Sequence, residues 1–415
     1  MGDAYEIVDR RGGCPVTGFD HNAAEHARDP VDSYRRLRAA GPVTWTDAHG
    51  GYWVLADYQH VFDAARDDAT FSSARSEHGG EGLSVVIPKA PMHFHIPIEV
   101  DPPDFRGYRR LLNPLLTPQA VEELQPTVDR WVDHFLDGVI EAGECDFGDI
   151  VGVPAAITIE WLGLDASQWK RFSHAIHLTL ASIPGSPESI EAREVEVPWM
   201  QQQVWDHIAH RREEPGDDVV GYLMRQTVFD RGLTDDEIFS IVELLISGGV
   251  GTTASLVGQT LVHLSEHPED RERLLAEPAR LDIAVEEFLR AFSPTQALAR
   301  TVTADTEFGP CPMAEGDRVL MSWASANRDP EQFEDPDTID IERWPNRHTA
   351  FGVGVHRCAG SHLGRAMART LIGQVLERMP DYQVDADGLV PYANQGTNSG
   401  YQSIPASFTP GARRR

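Results

Sequence analysis

Residues 351–360 read Phe-Gly-Val-Gly-Val-His-Arg-Cys-Ala-Gly, and this stretch decides how the chain is interpreted. A cysteine, Cys358, follows a glycine-rich turn and precedes a helical pattern. Glycine lets the backbone adopt positive φ and approach a bulky partner closely. The N-terminal end of a helix, with its dipole and free N–H groups, favours a thiolate over a thiol. The stretch therefore predicts a cysteine held against a large ligand by nearby backbone.

The residues after the cysteine form an amphipathic helix pattern from Ala359 toward Met379, which Pro380 ends. Its apolar stripe consists of Leu363, Ala366, Met367, Leu371 and Val375. A thiolate placed before such a helix suits a soft or borderline metal, and iron in haem is one such partner. Cys358 and His362 are four residues apart and could also bind zinc, but further ligands at suitable spacing are not evident.

Composition limits the possible functions. The chain has 415 residues, 41% of them hydrophobic, which predicts a globular protein with a large core. The net charge of −29 argues against binding to nucleic acid or to anionic membranes. The four cysteines show no paired spacing, so we expect no disulfide framework and a reducing cytosol. The N-terminus carries no signal or anchor pattern, which predicts a soluble, cytoplasmic protein.

A long apolar helix is predicted from Ile238 to about Glu266, after a capping box at residues 234–237. Its uncharged part is long enough to span a bilayer, but its glycines, threonines and serines favour a buried central helix. Gly248 and Gly249 lie inside this helix and each costs about 1 kcal/mol relative to alanine. We therefore expect a close approach to the helix there, followed by Thr252, which can bond the i−4 carbonyl.

Two charged residues three apart, Glu287 and Arg290, share one face of another predicted helix and can form an ion pair. Arg343, further along the chain, could join them. Exposed pairs of this kind contribute about 0.3–0.5 kcal/mol, so the spacing alone does not distinguish a surface pair from a buried one.

Residues 351–360 match the cytochrome P450 haem-binding signature Phe-Gly-x-Gly-x-His-x-Cys-x-Gly at every fixed position, and the Gly-Gly helix and Glu-x-x-Arg pair resemble two further motifs of that family. The resemblance covers residues of about 30 to 408. It implies a mainly α fold with small β-sheets, a loose N-terminal arm over residues 1–18 and a single domain over residues 19–415. It also implies haem b with its iron bound by Cys358.

The resemblance assigns roles residue by residue. The cofactor would contact Cys358, His356, Arg109, Arg300, Phe351 and Gly352, with Cys358 as the metal ligand. The oxygen-activating groups would be Gly248, Gly249, Gly251 and Thr252. The substrate pocket would include Leu245, Val250, Ala297, Leu298 and Thr397, and the structural charges would be Glu287, Arg290 and Arg343.

The chain departs from the family pattern at two of these places. Gly251 stands directly before the threonine, where the family usually carries an acid that helps bring protons to bound oxygen. Phe105 stands where many relatives carry a second propionate-binding histidine, which leaves Arg109 more isolated. Glu243, two turns before Thr252, is expected to be far from the iron.

Several segments are predicted less sharply. The long loop of residues 73–100 resembles the family's loop over the substrate, and we interpret its His93 and His95 as ordinary polar residues. The break at residues 183–187 resembles the family's mobile lid, where Leu180 and Ile183 could be either core or pocket lining. The tail of residues 411–415 is expected to be disordered.

The resemblance implies a monooxygenase that inserts one oxygen atom of O2 into an apolar small molecule, by hydroxylation or oxidative O-dealkylation. No reductase is fused, so electrons are expected from NAD(P)H through a ferredoxin and its reductase, and the protein is expected to be monomeric and bacterial. Because of Gly251, a peroxide-using enzyme or one that catalyses coupling or rearrangement stays open. A non-catalytic haem-based ligand binder is a third alternative.

Overall fold

The computed structural model describes residues 4–7, 9–75, 83–90 and 92–414. Sixteen α-helices occur in the described residues, and the bounds of each are as follows. They are α1 Ala24–Arg28, α2 Pro30–Ala40, α3 Tyr58–Arg66, α4 Asp104–Leu112, α5 Pro118–Val139, α6 Phe147–Ile150, α7 Val153–Leu162, α8 Trp169–Ala181, α9 Pro187–Glu191, α10 Val197–Glu213, α11 Val219–Met224, α12 Asp235–Glu266, α13 Pro268–Ala276, α14 Leu281–Phe292, α15 Trp323–Ala326 and α16 Ser361–Arg378.

Short strands account for the rest of the regular structure in the described part of the chain. They are β1 Asp9–Arg11, β2 Cys14–Thr17, β3 Val43–Thr46, β4 Tyr52–Leu55, β5 Phe71–Ser72, β6 Glu144–Asp146, β7 Thr227–Val228, β8 Arg231–Gly232, β9 Ala297–Val302, β10 Thr306–Phe308, β11 Cys311–Met313, β12 Arg318–Ser322, β13 Gln383–Val384, β14 Val390–Pro391, β15 Tyr401–Ser403 and β16 Pro405–Ser407. The prediction of a mainly α fold with small β-sheets is confirmed.

The largest sheet has seven strands in the order β1-β2-β3-β4-β12-β9-β5. Its first two strands come from the N-terminal segment, so the predicted loose arm over residues 1–18 is wrong for residues 9–17. β2 pairs in parallel with β3, and Val16 is buried. A segment this short shows no periodicity, but pairing with an existing sheet edge orders it. The single domain over residues 19–415 stays a prediction.

A disulfide joins Cys14 on β2 to Cys311 on β11, across 297 residues of sequence. The expectation that the cysteines are unpaired is therefore wrong for these two. Both residues are buried between the N-terminal strands and the β10–β11 hairpin. Only the tertiary fold brings them together, so their spacing in the sequence carried no signal of the bond.

The central helix α12 has 32 residues and begins with the predicted capping box, in which Thr234 and Glu237 satisfy each other's backbone N–H groups. It packs against α7, α8, α10 and α16. By length and composition α12 could cross a bilayer, but most of its apolar stretch is buried inside the protein. These contacts identify it as a core helix, as its polar residues predicted.

The C-terminal tail docks on α5 through residue 414, so the expectation of disorder is wrong for residues 411–414. The Gly411 N–H donates to Ile140 O at 2.9 Å, and the Arg414 N–H donates to Asp137 Oδ1 at 3.0 Å. Arg413 pairs with Glu141 at 2.9 Å. The acidic side chains of α5 thus hold a basic tail whose partners lie more than 270 residues earlier.

Candidate active site

The cysteine-bearing loop folds back on itself before α16. The Cys358 N–H donates to Phe351 O at 2.8 Å, which closes the glycine-rich turn. Gly352 and Gly354 have φ of +67° and +73°, and a Cβ at Gly354 would lie 2.3 Å from Ala65 O. Glycine is therefore required at Gly354 both for its conformation and for the close approach of α3. The loop places Cys358 three residues before the first residue of α16, Ser361.

The thiol of Cys358 faces a cavity deep in the protein, so it is solvent-accessible although protein surrounds it. Burial raises its pKa, and this effect outweighs the opposing influence of the Gly360 N–H and of Arg109, Arg357 and Arg365. The helix start and nearby arginines alone therefore do not make Cys358 a free thiolate. A bound cation would be needed to hold it in that form.

The cavity beside Cys358 has a volume of about 290 Å³ and a mostly apolar wall. It lies between α12 on one side and the cysteine loop with the start of α16 on the other. Leucines contribute much of this wall: Leu112, Leu116, Leu244, Leu245, Leu256, Leu289, Leu298 and Leu363. Such a cavity suits a flat, apolar ligand whose few polar groups meet the charged residues at its edge.

Two arginines and a histidine, Arg109, Arg300 and His356, line this cavity. Arg300 is only 4% exposed, and its Nη1 donates to Ala299 O at 3.0 Å. Burial lowers the pKa of Arg300 to about 10, and burial with the two neighbouring arginines lowers the pKa of His356 to about 2. His356 is therefore neutral at pH 7, while Arg109 and Arg300 remain cationic.

Phe105 stands where many relatives carry a histidine, and its ring contacts His356. The Phe105 ring lies 4.4 Å from the His356 ring, and His356 Nε2 lies 2.9 Å from Ser73 Oγ. Arg109 donates from Nε to Asn113 Oδ1 at 3.0 Å. No carboxylate of the described residues lies within 4.0 Å of Arg109, so this arginine is isolated, as the sequence predicted.

One face of α12 lines the cavity through Gly248, Gly249 and Thr252. The Thr252 hydroxyl donates to Gly248 O at 2.9 Å, which confirms the predicted bond to the i−4 carbonyl. Gly251 does not line the cavity in the described structure. A Cβ there would lie 2.6 Å from Leu180 Cδ1, so α8 approaches α12 at the position where the family usually has an acid.

Of the five predicted pocket residues, Leu245 and Leu298 line the cavity. Val250 belongs to the buried core beside α8 and α10, because it lies on the opposite side of α12 from Gly248. Ala297 packs in a separate core with Ile87, and Thr397 offers its carbonyl to the Gln296 N–H at 2.8 Å. Val250, Ala297 and Thr397 are not among the described residues that line this cavity, and their assignment to the substrate pocket stays a prediction.

The pair Glu287 and Arg290 is completely buried, with both side chains at 0% exposure. Arg290 also donates to the carbonyls of Asn327, Pro336 and Thr338. Arg343 Nε lies 3.2 Å from Glu287, as predicted for the third charge. This cluster ties α14 to the segment that leads into the cysteine loop, so its role is structural.

Sequence reasoning missed two residues of the cavity wall. Thr158 and Trp161 on α7 line it, although α7 gave no sign of a site because its other residues are mostly apolar. Glu243, which was expected to be far from the iron, is not among the described residues that line the cavity. It is completely buried: Gln201 Nε2 donates to it at 2.7 Å, and His95 Nε2 lies 3.5 Å away.

In this mainly helical fold a cysteine and two arginines face one apolar cavity, and neither arginine has a carboxylate within 4.0 Å in the described part of the chain. This arrangement is typical of proteins that bind a cofactor through a cysteine. The family model for Cytochrome P450 matches residues 191–380. The chain is 33% identical to Steroid C26-monooxygenase from Mycolicibacterium smegmatis, over 92% of this chain and 93% of that protein. Cytochrome P450 130 from Mycobacterium tuberculosis is 31% identical over 90% of this chain and 93% of that protein.

Solved structures agree with these relatives. CYP109E1 from Bacillus megaterium in complex with testosterone has a TM-score of 0.82 and 27% identity, covering 93% of this chain and 99% of that one. P450BioI, solved with a ligated acyl carrier protein, has a TM-score of 0.82 and 25% identity, covering 92% and 100%. The chain belongs to the cytochrome P450 family and is a monooxygenase. Members of this family bind haem b through a cysteine thiolate.

The residues around the cavity fit that cofactor. Haem presents an iron that needs one axial protein ligand, an apolar macrocycle and two carboxylates. The cavity offers the Cys358 thiol, leucine-rich walls, and two arginines that lack a carboxylate partner among the described residues. Gly248 and Gly360 have open space where a Cβ would stand, so neither wall is filled by protein at those points.

Proposed function

We propose that Cys358 binds the haem iron and that Arg109 and Arg300 bind the haem carboxylates, with His356 adding a neutral hydrogen bond. One observation supports this most strongly: Arg300 is nearly completely buried, yet no carboxylate of the described residues lies within 4.0 Å of it. An unpaired buried charge is expensive, and an anionic ligand group at the cavity edge removes that cost.

Bound haem supplies the chemistry that reduces O2 and inserts one of its oxygen atoms into a substrate C–H bond. The protein holds the cofactor, shields the reacting atoms from water and supplies protons. Thr252 Oγ1 lies on the cavity face of α12 and donates a hydrogen bond to Gly248 O. Its proton is therefore available to an acceptor in the cavity. The leucine walls exclude bulk water from the reacting atoms.

The substrate we propose is an apolar small molecule, oxidised by hydroxylation or oxidative O-dealkylation. Pro97, Ile98, Leu244, Leu245 and Leu298 form an apolar wall above the cysteine side of the cavity. Relatives are named for steroid C26 oxidation, and one solved neighbour holds testosterone. Steroids and other isoprenoid lipids are therefore the first compounds to test by substrate-induced changes in the haem spectrum.

We propose a ferredoxin and its NAD(P)H-dependent reductase as the electron source. Arg357 is exposed next to Cys358, and Gly354 packs against the backbone of Arg66, which is also exposed. Arg106 and Arg110 are exposed on α4, beside the same loop. None of these four arginines has a carboxylate within 4.0 Å among the described residues. An unneutralised basic surface on a chain of net charge −29 favours an acidic partner there.

We further propose that the protein is a cytoplasmic monomer. The acidic net charge favours solubility. The Cys14–Cys311 bond removes the argument from unpaired cysteines for a reducing cytosol, so the net charge carries this proposal. Size-exclusion chromatography and cell fractionation test these two statements directly.

A second candidate function follows from Gly251. The chain carries no carboxylate at position 251, and a side chain there would have to displace Leu180 Cδ1, so the usual carboxylate for proton delivery is missing. This favours either a different proton supply or a peroxide-driven reaction, which brings its own protons. A coupling or rearranging enzyme would share this feature.

Turnover measurements separate these functions. The purified protein is supplied with a screened substrate and either a ferredoxin, reductase and NAD(P)H, or hydrogen peroxide alone. The proposal predicts faster product formation with the ferredoxin system. Faster turnover with peroxide would support the second candidate, and haem binding without product from any tested substrate would contradict both and favour a ligand binder.

A further inference from the structure

Thr158 brings a hydroxyl group into the cavity wall opposite α12. The residue is 2% exposed, and its neighbours on α7 are almost all apolar. Its Oγ1 is buried and has no hydrogen-bond partner among the described residues. Buried hydroxyl groups in native proteins nearly always bond to protein or to ordered water. The position of this hydroxyl therefore points to a small polar ligand beside it.

Three other helical threonines of the chain behave differently. Thr179, Thr252 and Thr260 each donate to the carbonyl four residues earlier, at 2.8, 2.9 and 2.8 Å. Thr158 makes no such bond to Pro154, and both its donor and its acceptor capacity remain available. Its side chain is directed at α12 instead of at its own helix, so the hydroxyl serves a contact between the two helices.

The contact point on α12 is Gly249. A Cβ at Gly249 would lie 2.8 Å from Thr158 Oγ1, so only glycine lets this hydroxyl approach the helix so closely. Thr252 is three residues further along α12 and therefore lies on the same helix face. Thr158, Gly248, Gly249 and Thr252 all line one cavity. A water molecule beside Thr158 is thus within reach of the segment that ends in Thr252.

We propose that Thr158 Oγ1 holds a water molecule against residues 248–252, and that Thr158 is a positioning residue for the proton supply to Thr252. This inference rests on the oxygen-activating function proposed above. It assigns a partner to a hydroxyl that has none, in a chain where glycine occupies position 251. The water needs at least two polar partners, which Thr158 and Thr252 can provide.

The proton balance is simple. Thr252 would release its hydroxyl proton into the cavity, and the water would return one of its protons to Thr252. The hydroxide left behind would be neutralised by a proton that enters from solvent. Thr158 is unchanged throughout, because it only orients the water. Electrons come from the redox partner, so Thr158 supplies none.

Two matched variants test the inference. Thr158→Val keeps the shape of the side chain and removes the hydroxyl, whereas Thr158→Ser keeps the hydroxyl. For Thr158→Val we expect a several-fold smaller share of reducing equivalents in product, more hydrogen peroxide and a larger solvent isotope effect. Substrate affinity and the melting temperature should not fall. Thr158→Ser should restore the share in product, which a merely structural role would not predict.

A crystal structure of the haem-loaded protein gives a readout that does not depend on activity. We expect a water within hydrogen-bond distance of Thr158 Oγ1 in the wild type and its loss in Thr158→Val. The inference is overturned by equal product shares in the two variants, or by a Thr158 hydroxyl that bonds Pro154 O with no water beside it. A wild type that forms no product would contradict the proposed function, while the crystallographic water would still decide the role of Thr158.

Discussion

Two regions on either side of the cavity differ in how their polar groups are satisfied. The cysteine side comprises α14 and residues 327–360, and the substrate side comprises residues 94–98 with α7, α8 and α12. On the cysteine side, the charged residues Glu287, Arg290 and Arg343 bond one another and nearby carbonyls, although Asn346 Oδ1 lacks a hydrogen bond from described residues. On the substrate side, the Oγ1 of Thr158 and the Oε2 of Glu243 lack hydrogen bonds from described residues.

This difference indicates that the two regions have different roles. A region whose buried charges are mutually paired is fixed by its own sequence and can hold a metal ligand rigidly. A region with open polar atoms among apolar walls depends on ligands and water to complete its bonding. The comparison predicts that substitutions on the cysteine side act through stability, while those on the substrate side act through binding and coupling.

The largest expected effect is at the buried pair. Arg290→Ala leaves the buried Glu287 with Arg343 as its remaining cationic partner and removes the bonds to three carbonyls, so we expect a loss of about 3–5 kcal/mol and little haem-loaded protein. The matched control is Arg369→Ala, which breaks the exposed pair with Asp282 and should cost at most about 1 kcal/mol. Chemical unfolding of both variants measures the difference. Equal losses would remove the distinction between the two pairs.

The substitution Arg300→Leu is expected to stabilise the haem-free protein but to weaken haem binding. Arg300→Leu removes a buried charge that has no carboxylate partner among the described residues, so the haem-free protein should become more stable. Haem binding should weaken by about 2–5 kcal/mol, because a buried carboxylate contact is lost. Thermal melts of the haem-free protein and haem transfer to apomyoglobin measure these effects. Unchanged haem retention would contradict the assignment of Arg300.

Gly251 tests the packing between α8 and α12. Gly251→Asp forces a side chain against Leu180, which should cost about 1–3 kcal/mol. Combining it with Leu180→Ala should recover part of that loss and allow the carboxylate to change the share of reducing equivalents in product. If the losses of stability from the two substitutions simply add in the double variant, Leu180 does not hinder the side chain at position 251.

A smaller, pH-dependent effect is expected at the start of α12. The Arg231 guanidinium, with Tyr108 and the Thr234 N–H, lowers the pKa of Glu237 to about 2. A carboxyl with a depressed pKa stabilises the fold above its unfolded value of 4.5, and this contribution is lost as the pH falls toward 2. Glu237→Gln should cost about 1 kcal/mol at pH 7, since Arg231 is half exposed, and less at pH 3. If Glu237→Gln lowers the free energy of unfolding equally at pH 3 and pH 7, the lowered pKa of Glu237 is contradicted.

The sequence predicted the cysteine side almost completely, because its residues act through short, fixed spacings. The turn at Gly352 and Gly354 and the i, i+3 pair of Glu287 and Arg290 are local patterns, although only the structure shows that the pair is buried.

The substrate side and the chain ends were predicted less well, since their contacts join distant segments. Val250 and Leu245 are both apolar residues of α12, and only the packing of its neighbours decides which of them faces the cavity. Thr158 lies on a helix whose pattern is that of ordinary core. The Cys14–Cys311 bond and the docking of Arg414 on α5 likewise depend on tertiary proximity that spacing does not encode.

The most direct test of the central claim is the carbon monoxide spectrum of the reduced protein, measured for the wild type and for Cys358→Ala. The claim that the Cys358 thiolate binds haem iron predicts the spectrum typical of thiolate-ligated haem in the wild type and its loss in the variant. A thiolate-type spectrum that survives in Cys358→Ala, or a wild type that takes up no haem, would contradict it.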